Sequence, residues 1–366
     1  MPVLPFRQFA LAVFFAAFVS ICALPAVACT GLFTKAADGA VVYARSLEFA
    51  TPLKSQLLIF PRGHESKPQL PGGVQGAAFT AKYGFVGMNA LGLPHVIDGL
   101  NEKGLQIGLF WFPGFSQYAT FDPKKAGSTL TPWDFGEFIL GQCATVKEAR
   151  EKLANMDIVA EFSKELGSIP TAHFWMVDAS GDSLVAEPVG GKLVLHDNPV
   201  GVFTNSPTFD WHLVNLGNYV NLTPEQAKAT KIGGLEVNPL GNGAGLLGLP
   251  GDITPPSRFV RAAFYRNALP QYKTGSEALY ALMRLHQAFF IAEGMAKPGA
   301  DDAGPLEITE WEIYTDLTNK KLYYATYGNL TPRFVDVSKL DFAPGPIRAL
   351  TIEQPVKFED MTQAFK

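Results

Sequence analysis

The chain has 366 residues, a net charge of −4, 47% hydrophobic and 12% aromatic residues. That balance builds a globular core and excludes a disordered polymer. It carries no basic footprint, so nucleic acid is not expected as a partner.

Residues 1–28 read as a secretory signal. Arg7 is followed by the uncharged run "FALAVFFAAFVSICALPAV", and Ala26 and Ala28 supply small residues at −3 and −1 of a cleavage site. The run also has the length of a transmembrane anchor, but Pro25 and the A-x-A site favour cleavage. The expected product is a single domain over residues 29–366, secreted or periplasmic, with no stable membrane insertion once the signal is removed. It would begin at Cys29. A cysteine at such a point can also be a lipoprotein acceptor, a route that favours Leu where this chain has Ala26.

From Thr30 the pattern alternates. "TGLFTKAADGAVVYARSLEF" is two β-rich runs around the turn Ala37-Asp38-Gly39. Strand patterns follow in "SQLLIFPRG", "KYGFVGMNA" and "HVIDGLNEKGLQIGLFWF", where "NEKG" makes the turn and Asn101 is a turn residue. Residues 131–156 take helical spacing, with Thr131 as N-cap and Pro132 as first helical residue. Strands return over 172–207, with turns at Ser180-Gly181 and Gly190-Gly191. Residues 257–294 read as two helices, the first opening at Ser257. "TEWEIYTDLTNKKLYYATY" closes the ordered part as a hairpin turning near Asn319. Hairpins replace βαβ crossovers throughout, so the fold class is α+β, with antiparallel sheets covered by helices.

Standard chemistries are missing. The six histidines are scattered and none pairs at metal spacing, so neither a metal site nor a cofactor is expected. There is no G-x-S-x-G and no P-loop, and "GAGLLG" at 243–248 is a loop because "LPGDITPPS" cannot open a helix behind it. After loss of Cys22 with the signal, Cys29 and Cys143 remain. They are either a disulfide of an oxidising compartment or, for Cys143 in "FGEFILGQCATVKEA", a buried helical thiol.

Cys29 is the informative residue. If cleavage exposes it, it carries a thiol and a free α-amine that titrates near 7.7–8.0. The amine can then act as general base for the residue's own nucleophile. This chemistry needs no histidine, in keeping with a chain whose other polar clusters have none nearby. Cys29 and Arg45 lie eight residues on either side of Ala37, so the hairpin returns Arg45 to the N-terminus, where its charge would favour a thiolate. Glu48 would accept a hydrogen bond from the α-ammonium or orient it. The alternative is that Arg45 and Glu48 form an ordinary surface pair.

These residues resemble the choloylglycine hydrolase and penicillin V acylase family of N-terminal-nucleophile cysteine amidases. The resemblance rests on "CTGL", "ARSLEF", "DGLNEKGL", "TNSPTFDWHL" and "GLPGDITPPSRFVRAAF" in order, from Cys29 to about Asn329. It implies an αββα fold, two stacked antiparallel sheets between helical layers, and hydrolysis of a linear non-peptide carboxamide through an acyl-cysteine. It implies Cys29 as nucleophile, Arg45 beside it, Asn205 as oxyanion-hole donor and Arg258 as the second arginine near the nucleophile.

Two positions depart from the family pattern. Glu48 stands where aspartate is usual. Trp111, in "GLFWFP", resembles the Gram-negative penicillin V acylase branch; its backbone N–H would be the other oxyanion donor and its indole would line the acyl pocket. From the residues alone, Trp111 also reads as core, Asn205 as a turn asparagine, and Phe49 as pocket wall or core. The resemblance implies a small-molecule acyl amide as partner, with an aryloxyacetyl or fatty-acyl amide such as penicillin V or an N-acyl homoserine lactone first and conjugated bile salts second. Family members often assemble as tetramers, which makes a homotetramer one expectation. A lipid-anchored, non-catalytic binding protein on the same fold is the alternative of another class. The pocket loops are expected at 50–56, 79–92 and 112–128.

Overall fold

The computed structural model describes residues 28–297 and 304–365. Of the expected signal, residues 1–27 lie outside the described residues. Strand β1 (Cys29–Lys35) turns into β2 (Val41–Phe49), followed by β3 (Gln56–Phe60), β4 (Phe85–Met88), β5 (Asp98–Asn101) and β6 (Gln106–Trp111). Helices α1 (Phe135–Gln142) and α2 (Val146–Leu153) come next. Then follow β7 (Ala172–Val177), β8 (Ser183–Val189), β9 (Lys192–Asp197) and β10 (Val202–Phe203). Helices α3 (Phe209–Asn215), α4 (Pro255–Ala268) and α5 (Gly275–His286) precede β11 (Ile308–Asp316), β12 (Lys321–Thr326), β13 (Asn329–Asp336) and β14 (Arg348–Thr351).

Two large antiparallel sheets form. One has the order β10-β1-β2-β11-β12-β13 and the other β9-β8-β7-β6-β5-β4-β3-β14. Helices α4 and α5 cover the first, and α1 and α2 cover the second. The inner faces meet at Trp175 of β7, whose ring lies 5.1 Å from Tyr43 and 6.2 Å from Phe33. A Cβ at Gly31 would come within 2.5 Å of that indole, so only glycine lets the sheets close there. This αββα sandwich explains why β2 is buried at every position although it holds Arg45, Ser46 and Glu48. Arg45 faces the other sheet, and Ser46 and Glu48 face the helical layer.

The first hairpin centres on Asp38 and not on Ala37. Ala36 N donates to Ala40 O at 2.8 Å, and Gly39 takes φ 89° at the turn. The register therefore pairs Cys29 with Leu47 and Gly31 with Arg45. Since side chains alternate with a period of two, Arg45 stays on the same face as Cys29, one step along the diagonal.

Three other boundaries differ from expectation. The helix expected over 131–156 is two helices, because Cys143 is extended and Thr145 caps α2 through Glu148 N. Thr131 is no cap; its N–H and hydroxyl both donate to Asp134 Oδ2 in the turn before α1. Helix α4 opens at Pro255, with proline in its favoured first turn. Order also continues past Tyr327, since β13 extends the six-stranded sheet and β14 caps the edge of the other at β3. Cys29 and Cys143 are both free and buried, and burial pushes the Cys143 thiol up to about 12.

Candidate active site

Cys29 opens β1, the strand next to the β10 edge of the six-stranded sheet, and is 1% exposed. Arg45 Nη2 points at its Sγ from 3.5 Å. The guanidinium is fixed from several sides. It donates to Leu109 O and Ile97 O and pairs with Asp98 Oδ2 at 3.0 Å, and it lies over the rings of Phe110 and Trp311. Burial opposes the Arg45 charge, but a thiolate at Cys29 and the Asp98 carboxylate outweigh it and hold its pKa above the usual value. Asp98 also accepts from Tyr43 Oη and Gln106 Nε2. Burial raises it to about 6 against the pull of Arg45. Asp98 was not singled out from the sequence. Its signal is a lone carboxylate inside the apolar strand "VIDGL", which must find a buried cation.

Asn205 follows the short strand β10, which pairs with β1 at Gly31 and Leu32. Its Oδ1 accepts from Cys29 N at 2.6 Å and from Arg258 Nη2 at 2.8 Å, and its Nδ2 donates to Trp111 O at 2.9 Å. Two donors on one side and a carbonyl on the other fix which way the amide points. Arg258, fully buried on α4, also donates to Cys29 O, Thr30 Oγ1 and Ile253 O. It thereby ties α4 to the first residues of β1.

Trp111 ends β6. Phe112 N donates to Thr171 O, so by the alternation of antiparallel pairs the N–H and C=O of Trp111 turn away from β7. They face the edge where Asn205 sits. One N–H of the Asn205 amide is given to Trp111 O, and the Trp111 N–H lies on that same edge of β6. The Trp111 indole packs edge-on against Phe49, and its Nε1 is buried without a partner among the described residues.

Glu48 is buried nearby, but its carboxyl is not what holds Cys29 N; Asn205 does that. Glu48 Oε1 accepts from Thr309 Oγ1 at 3.1 Å, and its backbone N donates to Ala28 O at 2.9 Å. Burial raises its pKa to about 8 against Arg258, so the group is mostly protonated at neutral pH. The carboxyl that reaches the chain before Cys29 is Glu307, whose Oε1 accepts from Ala28 N at 2.5 Å.

The expectation that histidine stays away from the polar clusters is corrected by the structure. His212 Nε2 donates to Asn205 O at 2.9 Å, His173 Nε2 to Thr204 O at 3.1 Å and His286 Nε2 to Thr30 O at 3.1 Å. A carbonyl accepts only, so each Nε2 carries the proton. On their other nitrogens, His173 meets Glu187 and His286 meets Glu312. None touches Sγ. They pin the main chain beside Cys29 and at Asn205; His173 and His286 do so from far away in sequence, whereas His212 lies seven residues from Asn205.

One cavity is lined by Cys29 and a second by its neighbour Ala28. A small apolar one is lined by Cys29, Leu47, Phe49, Trp111, Trp133 and Leu166. A cleft of about 410 Å³ lies on the side of the Cys29 nitrogen and includes Ala28, Asn205, Ile253, Arg258, Lys297 and Glu307. Of the expected pocket loops, 50–56 and 79–92 contribute Leu53, Ala90 and Leu91, and 112–128 contributes Pro113. Trp133 and Leu166 come from segments the sequence did not mark. Among the described residues no group of three or more His, Cys, Asp or Glu is placed to hold a metal ion, and no helix is long and apolar enough to cross a membrane.

Comparison with known proteins gives a consistent picture. The profile of the linear amide C–N hydrolases, choloylglycine hydrolase family, matches residues 29–347. A bile salt hydrolase/transferase from Clostridium perfringens is 32% identical over 319 residues, 85% of this chain and 93% of that protein. Penicillin V acylase from Pectobacterium atrosepticum is 31% identical, covering 83% of this chain and 78% of that one. The crystal structure of a variant of the conjugated bile acid hydrolase from Clostridium perfringens superposes with a TM-score of 0.82 at 29% identity, over 91% of this chain and all of that one.

Proposed function

The chain belongs to the choloylglycine hydrolase family of linear amide C–N hydrolases, and on that premise we propose an exported amidase that acts through Cys29 as an N-terminal nucleophile. The observation that carries this reading is the pair of contacts at Cys29: Arg45 Nη2 at 3.5 Å from Sγ and Asn205 Oδ1 at 2.6 Å from N. Removal of residues 1–28 turns that nitrogen into an α-amine already oriented by Asn205.

The α-amine takes the thiol proton, and Sγ attacks the amide carbon. The oxyanion forms beside the free N–H of Asn205 and the Trp111 N–H. On collapse the C–N bond breaks, and the α-ammonium returns the proton to the departing nitrogen. The amine leaves and a thioester remains on Cys29. Water, deprotonated by the same α-amine, attacks the thioester and releases the acid.

The apolar cavity beside Trp111 suits a flat aromatic or long aliphatic acyl group. We favour aryloxyacetyl and fatty-acyl amides, such as penicillin V or an N-acyl homoserine lactone. Conjugated bile salts are the second reading, favoured by the relatives that bear that name. The test is a panel of these three amides read by released amine, with Cys29→Ala as control; activity that survives Cys29→Ala would overturn the assignment. Export to the periplasm or medium rests on the first 28 residues and is checked by fractionation. A homo-oligomer, with the tetramer as first candidate, is supported by the arm carrying Ile232, Leu235, Leu240 and Leu247, all exposed. Light scattering would test it.

A further inference from the structure

Glu307 is only 6% exposed, yet it borders the cleft on the nitrogen side of Cys29. Its Oε1 accepts a hydrogen bond from Ala28 N, the N–H that departs with residues 1–28 under the reading above. Ala28 N and Cys29 N are neighbours along the chain, so this carboxyl lies within about 6 Å of the Cys29 nitrogen. Once the leader is gone, this buried acceptor on the cleft loses its hydrogen-bond donor among the described residues, Ala28 N.

The cleft's place in the reaction follows from the proton path. The α-ammonium protonates the departing nitrogen, so the amine half of the substrate must lie on the side of the Cys29 nitrogen, which is the side of this cleft. The apolar cavity beside Sγ and Trp111 is left for the acyl half. Other charged groups do not duplicate Glu307. Arg258 is committed to Cys29 O, Thr30 Oγ1, Ile253 O and Asn205 Oδ1. Glu48 is turned to Thr309. Lys297, next to the residue that bridges Glu307, lines the same cleft and is exposed.

We propose that Glu307 reads the leaving amine, selecting amides whose amine half carries a hydrogen-bond donor or a positive charge within two or three bonds of the scissile nitrogen and disfavouring a carboxylate or sulfonate there. This deepens the aryloxyacetyl and fatty-acyl reading of the amidase, rests on it, and counts against conjugated bile salts, whose amine halves carry that anion. An incoming donor replaces the Ala28 N–H, whereas an anion so close leaves two like charges facing one another.

The test uses two substrates with the same acyl group, N-phenoxyacetyl-glycinamide and N-phenoxyacetyl-glycine, on the chain beginning at Cys29 as verified by intact mass. The wild type is expected to favour the glycinamide in kcat/KM by roughly tenfold or more. Glu307→Gln should bring the two within about threefold, because the amide keeps an acceptor and removes the charge. A wild type that cleaves both alike, or prefers the glycine, overturns the proposal even if the variant fails to fold. An equal loss on both substrates in Glu307→Gln also overturns it and assigns the carboxyl to the α-ammonium of Cys29. Cleavage of neither substrate, nor of any amide in the panel above, removes the amidase reading itself and this proposal with it.

Discussion

The side-chain oxygen of Asn205 accepts a hydrogen bond from the backbone nitrogen of Cys29 at 2.6 Å, across 176 residues of sequence. A single amide therefore orients the nitrogen of the candidate nucleophile with its oxygen and turns its NH₂ toward Trp111 and the expected oxyanion. Arg258 holds the same oxygen and so prevents the amide from flipping.

Asn205→Ala is expected to lower kcat by about 10²–10³ with a smaller change in KM, the usual effect of deleting one oxyanion donor. Steady-state kinetics on the best substrate of the panel checks it. A change confined to KM would move Asn205 from the transition state to ground-state binding.

Asp98→Asn removes the carboxylate beside Arg45. Leaving a fully buried guanidinium without its counter-charge typically costs about 3–5 kcal/mol. The variant should melt well below wild type and alkylate at Cys29 with an altered pH profile, since Arg45 would no longer be held at Sγ. Unchanged stability would mean that the Leu109 and Ile97 carbonyls suffice to hold it.

His212 bonds the carbonyl of Asn205, and burial lowers its pKa to about 4. Its neutral form donates through Nε2, so His212→Ala should reduce kcat by about tenfold or more through a loosened Asn205. His212→Gln, which can donate from a similar place, should recover part of it. Failure of glutamine to recover anything while the fold stays intact would remove the positioning role.

Glu48 gives a pH prediction with a definite sign. The folded carboxyl keeps its proton to about pH 8, whereas its ordinary value is 4.5. The folded chain thus binds the extra proton between those limits and loses stability as pH rises through them. Asp98, raised to about 6, acts in the same direction but is complete earlier. Urea midpoints at pH 6 and pH 8 should fall for the wild type and change less for Glu48→Gln. An equal fall in both would place the titration elsewhere.

The fold class and the hairpins were legible because β-patterned runs and turn residues recur along the chain, and the motifs around Cys29 and Asn205 kept their order. Helix bounds were less so. The apolar spacing of 131–156 runs straight through Cys143, and only the Thr145 cap, satisfied by Glu148 N, shows the break. At the site, Cys29 and Arg45 could be joined through one hairpin because their approach is local. The partners of Arg45 on β5 and β6 come from the other sheet, and His173 and His286 from far along the chain, where a one-dimensional pattern carries no distance; His212 lies only seven residues from Asn205. Glu48 was placed by sequence proximity to Arg45, yet alternation within β2 puts the odd-numbered Arg45 and the even-numbered Glu48 on opposite faces. That parity separates the two side chains and leaves Glu48 facing Thr309.

The central claim is that Cys29 is the N-terminus and the residue that is acylated. Intact mass of the exported protein, before and after acid quenching with a phenoxyacetyl amide, tests it directly. The account predicts the mass of residues 29–366, plus one acyl group mapped to Cys29 after quenching and absent in Cys29→Ala. A fully active protein that retains residues before Cys29, or carries lipid on that cysteine, would contradict it.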